Sequence, residues 1–89
     1  MSNEIAEIIS DIRSAVKEFT DASMADDVDA LGDDELIPAT GLLDSAGLIE
    51  LMLWYQDHFK IPVSQDELTI DNFGTLVLMA NFVLARKQA

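Results

Sequence analysis

The sequence predicts a small all-α bundle of three principal helices plus one or two short helices, with a long acidic loop between the first and second principal helices. Three observations carry this. Apolar residues recur at intervals of three and four in three separate stretches, and no stretch alternates apolar with polar residues as a half-buried strand does. At 89 residues the chain has room for one core, so residues 1–89 are expected to form a single domain. With 49% hydrophobic residues, two prolines and four glycines, it reads as globular rather than disordered.

The first helix is predicted over roughly residues 3 to 19. Ile5, Ile8, Ile9, Ile12, Val16 and Phe19 fall at helical spacing with Glu4, Glu7, Asp11, Arg13 and Lys17 between them, and Ser2 or Asn3 is the expected start. Residues 20 to 43 lack sustained periodicity and hold Gly32, Pro38, Gly41 and most of the aspartates. A connection of that length is uncommon in a compact domain and is usually functional or disordered. Leu31, Leu36 and Ile37 are its expected anchors to the core, through a short helical turn.

The second helix is predicted from Ser45 to about Phe59. Leu48, Leu51, Met52, Tyr55 and Phe59 form one stripe, assigned to the core. Ala46, Ile49 and Leu53 form another, with Trp54 between the two. Pro62 and the capping-box pattern Ser64-Gln65-Asp66-Glu67 mark a break and a turn, and Thr69 to Phe73 reads as a further short turn. The last helix is predicted over 76 to 86, capped by Thr75, with Leu76, Met79, Ala80 and Val83 inward and Arg86 and Lys87 suiting its C-terminal dipole.

Composition removes whole classes of function. The chain has no cysteine, so disulfides and thiolate metal sites are excluded. There is no basic region followed by an apolar core at the start, and no apolar run near the ~20 residues of a membrane span, so a cytoplasmic location is expected. The net charge of −12 argues against nucleic acid. No lysine or arginine lies between Lys17 and Lys60, an interval holding eleven acidic residues from Glu18 to Asp57. Such a block attracts basic partners; it also serves solubility, and charge alone leaves both readings open.

Catalysis finds no support. The single histidine, His58, lies thirteen residues beyond Ser45 on the same helix, a separation of about 20 Å at the helical rise, so no nucleophile–base pair forms and His58 reads as a surface residue. Asp27, Asp29 and Gly32 match three positions of a calcium loop, but Leu31 and Pro38 stand where two ligands belong. Ser45 remains. It is either a helix cap, a duty Asp44 could share, or an acceptor hydroxyl modified by another enzyme near the positive helix end. As a cap, its loss in Ser45→Ala would cost about 1 kcal/mol. Spacing alone leaves both roles open.

The ordered set Asp44-Ser45, Glu50-Leu51, then Phe59, Ile61 and Val63, and later Asn72-Phe73-Gly74-Thr75-Leu76, resembles the acyl carrier protein family from about Leu36 to Val83. The resemblance implies that Ser45 bears 4′-phosphopantetheine, attached from coenzyme A by a phosphopantetheinyl transferase using magnesium, with Asp44 supporting the reaction. The arm's thiol would hold an acyl or aminoacyl cargo as a thioester, and the carrier itself would be no enzyme. Ala46, Ile49 and Leu53 would face partner enzymes, while Glu50 and Asp57 would pair with their basic residues. The implied partners are the transferase, a loading ligase or acyltransferase and downstream acyl-processing enzymes, acting on a monomeric carrier. The family usually has leucine or methionine where Ala46 stands, and Gly41-Leu42-Leu43-Asp44-Ser45-Ala46-Gly47 is similar to the D-alanyl carrier proteins and other ligase-loaded carriers. That points to a specialised carrier rather than to general fatty acid synthesis. The alternatives are a cofactor-free helical adaptor docking through the second helix, a divalent-cation sensor using the acidic loop, and a carrier-like relic that is no longer modified.

Overall fold

A computed structural model describes residues 4–88, whose regular elements are all helical, with no strand among them. The elements in order are α1 (Glu4–Phe19), a 3-10 turn (Ala22–Met24), α2 (Ala25–Asp29), α3 (Ile37–Thr40), α4 (Ser45–Phe59), a second 3-10 turn (Gln65–Glu67), α5 (Ile70–Phe73) and α6 (Leu76–Gln88). The expected caps Ser2 and Asn3 lie outside the described residues.

The core forms where the three long helices meet, α1 packing against both α4 and α6. Ile8, Ile12 and Val16 of α1, Leu51 and Tyr55 of α4, and Leu76, Met79, Ala80 and Val83 of α6 are buried, which bears out the inward faces read from periodicity. Ile5, Ile9, Phe19, Leu48, Met52 and Phe59 pack on its margin, half-buried. Tyr55 crosses the core to donate a hydrogen bond from its hydroxyl to the Met79 carbonyl at 2.7 Å. Burial pushes the Tyr55 phenol well above its ordinary pKa.

The segment 20–43 departs from the long loop expected. It contains a 3-10 turn and two short helices, so with α5 there are three short helices where one or two were predicted. Helices of four or five residues have no propagating ladder and owe their existence to tertiary contacts. Arg13 of α1 supplies several at once: Nη1 donates to the carbonyls of Val28 (2.8 Å) and Leu31 (2.6 Å), and Nη2 to Asp33 Oδ1 (2.6 Å). Lys17 reaches Asp29 at 2.9 Å. Val28, Leu31 and Ile37 are buried beneath these polar ties. Leu36, expected as an anchor, is 46% exposed instead, because it precedes α3 and only Ile37 points inward.

Two backbone bonds join this segment to the far end of the chain, from Ile37 N–H to the Gly74 carbonyl (2.8 Å) and from Val77 N–H to the Asp33 carbonyl (3.0 Å). A Cβ on Gly74 would lie 2.5 Å from the Ile70 carbonyl oxygen, so this crossing requires a residue with no side chain. Gly41 ends α3 in the left-handed region (φ 76°), where L side chains are strained. Downstream, the Ser64–Glu67 capping box is reciprocal as its spacing predicts. Arg86 of α6 ties this region down by pairing with Glu67 and lying 4.6 Å over the Phe82 ring.

Candidate functional site

The junction from Leu43 into α4 turns on a division of labour between two adjacent residues. Asp44 is extended (φ −84°, ψ −175°); its carboxylate accepts the Gly47 N–H at 2.7 Å and its carbonyl accepts that of Leu48 at 2.9 Å. Asp44 is therefore the cap, and the cost assigned above to losing a Ser45 cap belongs to Asp44. Ser45 is the first residue of α4, is exposed, and makes no side-chain hydrogen bond among the described residues. The hydroxyl is thus held at a rigid helix start with no structural duty.

Gly47 explains itself here. A Cβ at this position would stand 3.2 Å from Leu43 Cδ2 and 3.3 Å from the capping Asp44 Oδ1. Gly47 is buried, and the close approach it permits is by Leu43 and the capping carboxylate.

The five residues assigned to partner contact all lie on exposed parts of α4. Ile49 and Leu53 are 62% and 63% exposed, and Ala46, Glu50 and Asp57 are exposed beside them. Asp57 has Lys60 at 3.9 Å, too loose and too solvated an ion pair to hold either side chain. Ala46, Ile49 and Leu53 lie at spacings of three and four and so form one exposed apolar stripe along α4.

Beneath them opens an apolar cavity of about 360 Å³. Leu48, Ile49, Leu51, Met52 and Leu53 line it from α4, Ile37 and Pro38 from α3, Leu68, Ile70 and Phe73 from α5 and the residues before it, and Met79 from α6. Tyr55 and Phe59, assigned to the core, lie there and at its margin, not in the cavity lining: Tyr55 is fully buried and meets Phe73 edge to face at 5.4 Å. The two polar side chains in the lining are already engaged. Gln56 donates to the Met52 carbonyl and accepts from Val63 N–H, and Thr69 Oγ1 accepts from Asn72 N–H. Among the described residues no ionisable side chain lines the cavity. The residues that line it from outside α4 were not legible as site residues in the sequence; the one signal was an α4 too apolar on several faces to be covered by a chain of this size.

His58 sits apart, on the α1-facing side of α4, stacked on Trp54 at 4.6 Å. Of the calcium-loop candidates, Asp29 pairs with Lys17. No group of three or more histidine, aspartate or glutamate side chains is positioned for a metal ion among the described residues, and no described helix is long and apolar enough to cross a membrane.

Comparison with curated proteins finds a D-alanyl carrier protein of Streptococcus mutans serotype c (strain ATCC 700610 / UA159), 37% identical over 65 residues, covering 73% of this chain and 81% of that protein. No family model and no solved structure matches the chain. An identity of this level over most of both chains, on an all-α architecture, means that the chain belongs to the acyl-carrier-protein-like family related to the D-alanyl carrier protein, a family of non-catalytic carriers.

Proposed function

We propose that this protein is a monomeric, cytoplasmic, single-domain carrier whose Ser45 bears 4′-phosphopantetheine, and that the cargo on that arm is an acyl group with an aliphatic chain. The observation that carries the reading is the pairing of a free, exposed hydroxyl at the start of α4 with an apolar cavity whose α4 wall begins at Leu48, one turn away. The residues present fit the group. Asp44 meets the Gly47 N–H and leaves those of Ser45 and Ala46 open toward a phosphodiester, a position the helix dipole favours. When attached, the arm supplies the thiol that holds cargo as a thioester; the chain's own part is to keep Ser45 exposed and to shield what hangs from it.

An aliphatic chain suits the lining because burying each methylene contributes about 0.8 kcal/mol, whereas an aminoacyl ammonium would meet no carboxylate there. A second reading, an aminoacyl cargo, is favoured by the D-alanyl carrier protein among the relatives. In either case Ile49 and Leu53 with Ala46, Glu50 and Asp57 would meet the transferase, the loading ligase or acyltransferase and later acyl-processing enzymes.

Incubation with coenzyme A, magnesium and a broadly tolerant transferase tests the attachment by intact mass. The expected gain is lost in Ser45→Ala; no gain, or a gain that survives the substitution, overturns it. A cofactor-free adaptor would instead capture partners equally well with and without Ser45. Thermal melting of octanoyl-loaded against D-alanyl-loaded protein then separates the cargoes: the aliphatic reading expects the higher midpoint for octanoyl.

A further inference from the structure

A second cavity, of about 190 Å³, lies between α1 and α4, among residues that take no part in the Ser45 site. Asp11, Ser14, Ala15 and Glu18 line it from α1, and Trp54 and His58 from α4. Its chemistry is specific. The Trp54 and His58 rings are nearly parallel (15°), stacked on each other 4.6 Å apart, and both border the cleft. Asp11 stands 3.5 Å from His58 Nε2, and Glu18 lies two helical turns further along α1. Both carboxylates are exposed.

Among the described residues no lysine or arginine lines the cleft beside them. The two cations of α1 that could do so, Arg13 and Lys17, are turned the other way and committed to Val28, Leu31, Asp33 and Asp29. The cleft is thus concave, acidic and bordered by the Trp54–His58 pair, and among the described residues the one group beside its carboxylates that can carry positive charge is His58, 3.5 Å from Asp11. Of the cationic side chains, arginine matches all three properties: its guanidinium is planar and weakly hydrated, stacks on rings, and forks to carboxylates. A lysine ammonium matches only the charge.

We propose that this cleft is an anchoring site for an arginine side chain presented by a protein partner. Trp54 lies nine residues beyond Ser45, about 13 Å along α4, and neither Trp54 nor His58 lines the larger cavity. A partner gripping here holds the carrier while leaving the Ser45 end and its cavity free. The proposal does not depend on modification of Ser45.

Trp54 is the single tryptophan, so its emission reports on the cleft directly. The probe is an end-blocked glycine–serine peptide with one central arginine, titrated at pH 8 and low ionic strength into the full chain, beside matched peptides carrying lysine or citrulline. The expected result is a saturable change with the arginine peptide, at least threefold weaker binding of the lysine peptide and none of the citrulline peptide. The double variant Asp11→Asn, Glu18→Gln, both exposed positions, keeps its helical circular dichroism and binds about tenfold more weakly. Amide shifts at Ser14 and Glu18 follow the same isotherm. Absence of a saturable response to the arginine peptide, equal binding of the lysine peptide, or undiminished binding by the double variant overturns the proposal.

Discussion

The Asp44 carboxylate accepts the backbone N–H of Gly47 at 2.7 Å, and this one bond separates the folding of α4 from the chemistry at its first residue. Asp44→Ala is expected to destabilise the protein by about 1 kcal/mol, the worth of an N-cap. Ser45→Ala is expected to change stability by less than about 0.5 kcal/mol, as for an exposed residue outside any network. Urea denaturation of the two variants checks the order; a larger loss for Ser45→Ala would return the capping role to the serine.

Arg13 is the main polar tie between α1 and the segment after it. Its removal in Arg13→Ala leaves the Val28 and Leu31 carbonyls without their charged donor, and a loss of about 2 kcal/mol is expected. Arg13→Lys should recover less than half of that, because an ammonium cannot span two carbonyls and the Asp33 carboxylate as the guanidinium fork does. Equilibrium unfolding of both variants gives the comparison.

Gly74→Ala is expected to cost about 1–3 kcal/mol. The obstacle is steric: the added carbon would meet the Ile70 carbonyl oxygen and, at 2.8 Å, Ile70 Cγ2. Backbone must shift to relieve the first contact, and the Ile37 bond to the Gly74 carbonyl shifts with it. A loss of that size in thermal or chemical denaturation, with α1 helicity retained, supports this reading.

Tyr55 makes alkaline stability a readout of the core. Its pKa is raised in the folded protein by burial, so the unfolded chain gives up the phenolic proton first. The contribution is fully present below the ordinary tyrosine value of about 10 and is lost as pH rises above it. Stability should therefore fall above about pH 10, with a shallower fall in Tyr55→Phe. At neutral pH the same substitution costs about 1 kcal/mol through the missing bond to Met79. Denaturation midpoints between pH 7 and 11 test both statements.

The long helices were legible in the sequence because their signals are local. The Asp44-Ser45 entry, the apolar stripes and the Ser64–Glu67 box each lie within a few residues, and α4 runs from Ser45 to Phe59 as its pattern predicts. The helices α2 and α3 were not legible, since four or five residues cannot display a 3.6-residue period. What holds α2 is Arg13, fifteen positions before Val28, and what holds α3 is the burial of Ile37 and its bond to the Gly74 carbonyl. The candidate site divides in the same way. Periodicity marks Ile49 and Leu53 as a surplus apolar face, but whether a neighbouring element fills the space under that face depends on where Ile37, Ile70 and Phe73 come to rest.

The crossing bond from Ile37 to Gly74 also bears on motion. The walls it joins, α3 and α5, are single turns that persist only while docked, so they belong to the part of the molecule with the lowest free energy of local opening. Amide exchange at Ile37, Asn72 and Gly74 should accordingly outpace that at Leu51 and Tyr55. Loosening there would widen the apolar cavity beside α4 while α1, α4 and α6 stay packed.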